Sequence, residues 1–296
     1  MGSHENALKK TLDILSKESG IIAILLCGSM HYSYVTEKSN INLVIITDDA
    51  KKITPNLQIE VDDVVVLLDF YNRKTFIEMT ARNKGGTIEH AYLSNSRLVY
   101  VKDKIFEDLI EDNLTVGQHD LNEAIFYEAC EILLYLHDIE QWMEQNDDCI
   151  NAQFVFVYMS RHIARLEHFF ANSVLKKEVL MSAYEINTDV MDKFNKFSLT
   201  HMWNREDYEK MRRDVYAYLE MHIDKFAKHV VRAFDAHEVL SLNELSMAMG
   251  GVRSDVIKPC LDLMTNIGLL FRTTLAVPIS YKSRIEVDEI AYGLVR

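Results

Sequence analysis

The stretch on which the fold turns is LLCGSMHYSYVTEKSNINLVIITDD, residues 25–49. An aliphatic run that begins at Ile21 ends in Cys27, Gly28 and Ser29. Ten residues later, Asn40, Ile41 and Asn42 open a second aliphatic run at 43–46. Unbroken apolar runs of this length are expected of central strands buried on both faces. A glycine at the end of such a strand lets the backbone approach a neighbour closely, because no Cβ stands in the way. Side chains at i and i+2 of a strand share one face, so the spacing puts Asn40 and Asn42 side by side.

Before this stretch, Leu8, Leu12 and Leu15 at helical spacing predict an amphipathic first helix over 5–18, ended by Gly20. Residues 56–61 and 64–71 read as two more strands, a hairpin turning at Asp62 and Asp63. A helix follows over 73–83, broken by Gly85 and Gly86, and 96–103 returns as a short strand.

From about residue 103 the period changes. Segments 104–112, 119–145, 151–172, 187–198 and 205–235 carry long apolar stripes of helical period, one being Phe154, Val157, Tyr158, Arg161, Ile163, Leu166, Phe169 and Phe170. These predict a helical bundle with short connections. In the last 60 residues, Ser241 with Glu244 fits a capping box and starts a short helix ending at Gly250 and Gly251. Ser254 and Asp255 cap a second helix that stops at Gly268, and two strands follow. Helix, helix, strand, strand is the order of a winged helix-turn-helix. The expected class is therefore α+β: a mixed-sheet α/β domain (1–103), a helical bundle (104–236) and a winged helix (237–296).

The 296 residues, 48% hydrophobic and 26% charged, suit two or three soluble domains. No apolar run reaches the roughly 18 residues a membrane span needs, and no secretory leader pattern is visible. The four cysteines lie far apart without a CxxC step, which points to reduced thiols, a cytoplasmic setting and no zinc site. A net charge of −13 opposes binding to phosphate backbones unless a local basic face exists. Between residues 237 and 296 six Lys/Arg face seven Asp/Glu, a poor balance for a DNA reader. Arg272, Lys282 and Arg284 near the wing are a modest exception. A protein-docking or self-associating winged helix is the favoured reading.

A strand ending in Gly-Ser, a spacer of ten residues, then a polar-hydrophobic-polar triplet entering an aliphatic strand resembles the polymerase β-type nucleotidyltransferase superfamily. The bundle resembles the substrate-binding half of kanamycin-type nucleotidyltransferases. The whole layout resembles a group of bacterial nucleotidyltransferase-like proteins, best in HIARLEHF (162–169) and DVIKPCLDLMTNIGLL (255–270). The resemblance implies a nucleoside triphosphate at Gly28, Ser29, Asn40 and Asn42, the last two standing where the family carries metal-binding carboxylates. There, two Mg²⁺ ions clamp the attacking and leaving oxygens.

Asparagine is neutral and a poor ligand for Mg²⁺. Each charge pair lost at about 4 Å removes roughly 4 kcal/mol of raw Coulomb attraction at an effective dielectric near 20. Catalytic impairment is the expectation, with Asn40 and Asn42 hydrogen-bonding the Gly28 loop. Activity would require Mg²⁺ held by other acids. Glu60 and Asp69 are the candidates, with Asp62 and Asp63 carried off by the hairpin turn. Arg161, Arg165 and His168 fall at i, i+4 and i+7, giving either an anion-binding wall or an ion-paired helix face, the second preferred.

Overall fold

The run IIAILLC has almost nothing to offer water, and it forms strand β1 (Ile21–Cys27) with six of its seven side chains buried. The computed structural model describes residues 2–30, 35–48, 56–82, 87–112, 114, 116–176, 178–279 and 284–295. Packing divides the chain into two compact units, residues 1–117 with 173–177, and residues 118–172 with 178–296. The chain is α+β, with a mixed sheet in the first unit.

Strand β2 (Ile41–Thr47) is buried in the same pattern as β1 and pairs with it antiparallel, Cys27 opposite Asn42. Strands β3 (Asn56–Val61) and β4 (Val64–Asn72) form the expected hairpin. Its two turn residues, Asp62 (φ 52°) and Asp63 (φ 61°), are left-handed, as a tight turn joining twisted strands requires. Strand β4 runs parallel to β2, and β5 (Arg97–Val101) closes the sheet in the order β3-β4-β2-β1-β5.

Helix α1 (Gly2–Leu15) packs Ala7 and Leu8 on one face, against Ile24, Leu26, Leu43, Ile45 and Val66. The other face carries Ala23, Leu25, Cys27, Val44 and Ile46. It is covered by Phe76 of α2 (Arg73–Arg82), Leu93 of α3 (Ile88–Ser94), and Phe106 and Ile110 of α4 (Ile105–Asp112). Helix α3 carries no signal in the sequence: its buried positions include His90 and Ser94, so no apolar stripe announces it.

The second unit is built on α5 (Gln118–Asn146) and α6 (Cys149–Phe170). They are joined by Asp147 (φ 52°) and by Asp148, whose carboxylate accepts the Asn151 N–H at 3.0 Å. There follow α7 (Val179–Ile186), α8 (Thr188–Met191), a π-helical turn (Asp192–Lys196), α9 (Phe197–Thr200), α10 (Arg205–Met221) and α11 (Ile223–Ala233).

The last segment holds β6 (Val239–Ser241), α12 (Leu242–Ala248), α13 (Ser254–Asn266), β7 (Leu270–Pro278) and β8 (Glu286–Leu294), with an antiparallel sheet in the order β6-β8-β7. The Ser241–Glu244 capping box is present. Helix α13 starts after Arg253, which caps it without a side-chain bond, rather than through Ser254 and Asp255. Gly293 of β8 lies under Phe271 of β7, where a Cβ would sit 2.4 Å from the ring. Cys130 and Cys260 join α5 to α13 by a contact between fully buried thiols, and burial pushes the Cys130 thiol well above its ordinary value.

The stripe read across α6 mixes two faces. Ile163, Leu166 and Phe169 are buried with Ala152, Phe156 and Met159, whereas Phe154, Tyr158 and Arg161 point outward. No helix among the described residues is long and apolar enough to cross a membrane.

Candidate functional site

β1 delivers Cys27 to the edge of the packed layer, and the chain must then turn at once. Gly28 makes the turn in the left-handed region (φ +75°), which glycine enters without a Cβ penalty, and opens a short 3₁₀ turn, Gly28–Met30. A second reason also demands glycine. A Cβ at this position would lie 2.7 Å from Asn42 Nδ2, so the Asn42 amide occupies the space beside the turn. The approach to β2 is anchored by His4, whose Nε2 is hydrogen-bonded to the Ser39 carbonyl at 2.9 Å. Asn40 follows, exposed, one residue ahead of the strand.

Register decides which acid shares this face. In the parallel β2–β4 pair, Asn42 stands beside Leu67 and Val44 beside Asp69. Asp69 therefore lies on the face of Asn42, one strand across and two residues along. Directly opposite and diagonal neighbours are the pairs that touch in a sheet. Glu60 is opposite Val65, also on this face, but it sits on the exposed outer strand β3 with β4 between it and β2. Of the two candidates, the fold brings Asp69 to Asn42 and leaves Glu60 at the edge.

Two tyrosines and a thiol complete the patch. Tyr92 of α3 is hydrogen-bonded to Cys27. Burial, opposed by this bond and aided by the Asp69 charge, pushes the Cys27 thiol up to about 11, so it stays protonated at neutral pH. Burial, with Asp69 and Cys27 beside it, also raises Tyr71, and burial with Cys27 raises Tyr92. All three are neutral proton donors grouped around one carboxylate. Asn42 Oδ1 is buried and finds no hydrogen-bond partner among the described residues. Leaving such an acceptor unmet costs about 1–3 kcal/mol.

Does this donor set suit a pair of Mg²⁺ ions? It does not. The two positions expected to supply charge carry amides, and Asp69 is the carboxylate that the register adds. Among the described residues no group of three or more His, Cys, Asp or Glu is placed to hold a metal ion. What the arrangement offers is hydrogen bonding, an unmet acceptor and a bare backbone turn.

Arg161, Arg165 and His168, in the second unit, lie in three environments. Arg161 is exposed and lies over the Tyr158 ring, 5.5 Å from its centre. Arg165 Nε is 3.0 Å from Glu128 Oε1, and His162 Nδ1 is hydrogen-bonded to Glu128 Oε2 at 2.7 Å, so a guanidinium and an imidazole both lie against one carboxylate that is 1% exposed. His168 is buried and bonded to Ser182 Oγ at 2.8 Å. A cleft of about 560 Å³ in the same unit is lined by His119, His229, Arg232, His237 and Glu244, with Glu244 engaged in the cap of α12.

No family model matches the chain, and no curated protein matches it. Among solved structures, the crystal structure of a nucleotidyltransferase-like protein from Exiguobacterium sibiricum 255-15 is similar to it over 99% of this chain and 100% of that one, with a TM-score of 0.64 and 12% identity. A likeness at that identity is one of fold: the chain has a nucleotidyltransferase-like fold.

Proposed function

We propose that the chain binds a nucleoside triphosphate at the Gly28 turn without standard two-metal catalysis, and acts as a nucleotide-responsive interaction module. The observation that carries this reading is Asn42. Its amide fills the space a Cβ on Gly28 would take, and its buried Oδ1 lacks a donor among the described residues. Gly28 and Ser29 would give backbone N–H groups to phosphates, and Asn40 and Asn42 would hold the nucleotide by neutral hydrogen bonds.

The alternative is an active enzyme that moves a nucleoside monophosphate to a small molecule or protein, with Mg²⁺ gathered by Asp69 and the phosphates of the substrate. The placement of Asp69 on the face of Asn42 favours it over any scheme using Glu60.

The domain reading is part of the same proposal: 1–103 nucleotidyltransferase-like, 104–236 a substrate-binding-like bundle, 237–296 a winged helix. Two helices between strands of a three-stranded sheet support the last. Its second helix is a poor DNA reader, because Arg253 is paired with Asp255, and Lys258 with Asp262 at 2.5 Å. We read it as a protein-docking or self-associating module. The four free cysteines accord with a cytoplasmic setting.

Calorimetric titration with ATP, GTP, CTP and UTP, with and without Mg²⁺, tests the reading. Binding that is indifferent to Mg²⁺ is expected. Binding that appears only with Mg²⁺, together with incorporation of labelled nucleotide into an acceptor, would establish the enzyme instead. Silence at millimolar nucleotide would sink both.

A further inference from the structure

The outward line of α6 has the wrong chemistry for a solvated helix. A surface helix turns polar residues to water, but here Ile150 is 67% exposed, Phe154 70% and Tyr158 51%. Gln153 draws the chain after α9 against this helix, donating to the carbonyls of Ser198 (2.8 Å) and His201 (2.7 Å). That holds Leu199, 63% exposed, and Met202, 67% exposed, beside the same line. Contiguous apolar surface on this scale marks an interaction site more often than a bare monomer face.

The line is also symmetric about its middle. Ile150 and Tyr158 lie four residues to either side of Phe154; the turn residue Asp147, an exposed acid paired with Arg205 of its own chain at 2.6 Å, and the exposed Arg161 lie seven to either side. Two such helices laid antiparallel across a two-fold axis at Phe154 would set Phe154 on Phe154, Ile150 on Tyr158, and the Asp147 and Asp148 turn against Arg161, which would share Asp147 with Arg205. Spacings of three and four residues are those of a helix-to-helix seam, and a two-fold contact requires a self-complementary surface. From Ile150 to Arg161 the seam runs about 16 Å at 1.5 Å per residue, and Leu199 and Met202 widen it. The net charge of −13 opposes association at long range, but that repulsion is screened beyond about 10 Å at 0.1 M salt.

We infer that the outward face of α6 is a homodimer interface, in which α6 packs antiparallel on α6 of a second copy with Phe154 on the two-fold axis.

Sedimentation velocity of the full chain across the micromolar range tests this. A monomer–dimer equilibrium is expected, and Phe154→Glu should weaken it by about a hundredfold or more, because the two-fold axis removes each contact twice. The thermal melt of the monomer should not change, since Phe154 is exposed. Register is tested by oxidative cross-linking of full chains in which Cys149→Ser removes the neighbouring thiol. Phe154→Cys should link to itself, whereas Ile150→Cys and Tyr158→Cys should link only when mixed. A monomer at every concentration, a dimer that survives Phe154→Glu, or an Ile150→Cys chain that links to itself would each overturn the inference.

Discussion

Glu128 and Asn42 are both polar side chains driven into packed structure, and they are partnered in opposite ways. Glu128, between two long helices, is met by Arg165 on one oxygen and His162 on the other, so the charge is balanced within the bundle. Asn42, at the mouth of a buried strand, carries no charge to balance and leaves an acceptor unmet among the described residues. A group whose partners are all internal holds a fold together. A group with one partner missing has room for something from outside. By this contrast Arg165 and His162 of α6 are engaged within the bundle, whereas Asn42 of β2 keeps an acceptor open for the binding proposed above.

The largest effect that could break the contrast is at Glu128. Glu128→Ala removes the buried carboxylate that Arg165 and His162 share, and should cost about 3 kcal/mol in equilibrium urea unfolding, the low end for a severed buried pair because Arg165 is partly exposed. A loss below about 1 kcal/mol, which is the range of a surface pair, would mean that the cluster is ornamental. Next is Gly28→Ala, which adds a Cβ in a left-handed position and pushes it into the Asn42 amide. About 2 kcal/mol of stability should go, and nucleotide heat should vanish from the titration. Binding that survives would move the site away from the turn.

The smallest effect concerns acid. Asp207 accepts the Asn204 N–H in the cap of α10 and is paired with His201, which holds its carboxyl below the usual range. Burial alone would raise Asp214, but Lys193 and Lys210 bring it down. A depressed carboxyl stabilises the fold above its unfolded value, near 4, and that contribution is lost as pH falls through the folded value. Protection of the α10 amides, measured against their intrinsic exchange rates, should therefore fall first as the pH drops below about 4. The amides of Asn40 and Asn42 have nothing to titrate. Equal acid sensitivity in β2 and α10 would erase the distinction between the two regions.

The α/β unit is legible in the sequence because its strands carry unambiguous local signals. Runs with both faces apolar mark β1 and β2, and paired aspartates tolerate the left-handed turn between β3 and β4. The Gly28, Asn40 and Asn42 positions follow from spacing alone. The choice of Asp69 over Glu60 does not: it depends on which strand lies beside β2, a long-range fact that neither residue's neighbours in sequence encode. Tyr92 is invisible for a related reason, since the helix that brings it to Cys27 buries polar residues as well as Leu93. On α6 the period is legible and the face is not. A helix apolar on its inner and outer sides gives a stripe at 3.6 residues whichever side is chosen, so Phe154 and Tyr158 fall in with Ile163.

Among the described strands, β3 stands at one end of the sheet order, and an edge strand can template the growth of a sheet from one molecule to the next. Leu57 and Ile59 alternate there with Gln58 and Glu60, all four exposed. The acid that stands too far out to serve the Gly28 turn is well placed to protect this edge. A charged side chain on an edge strand is one of the devices that discourage edge-to-edge, amyloid-like stacking.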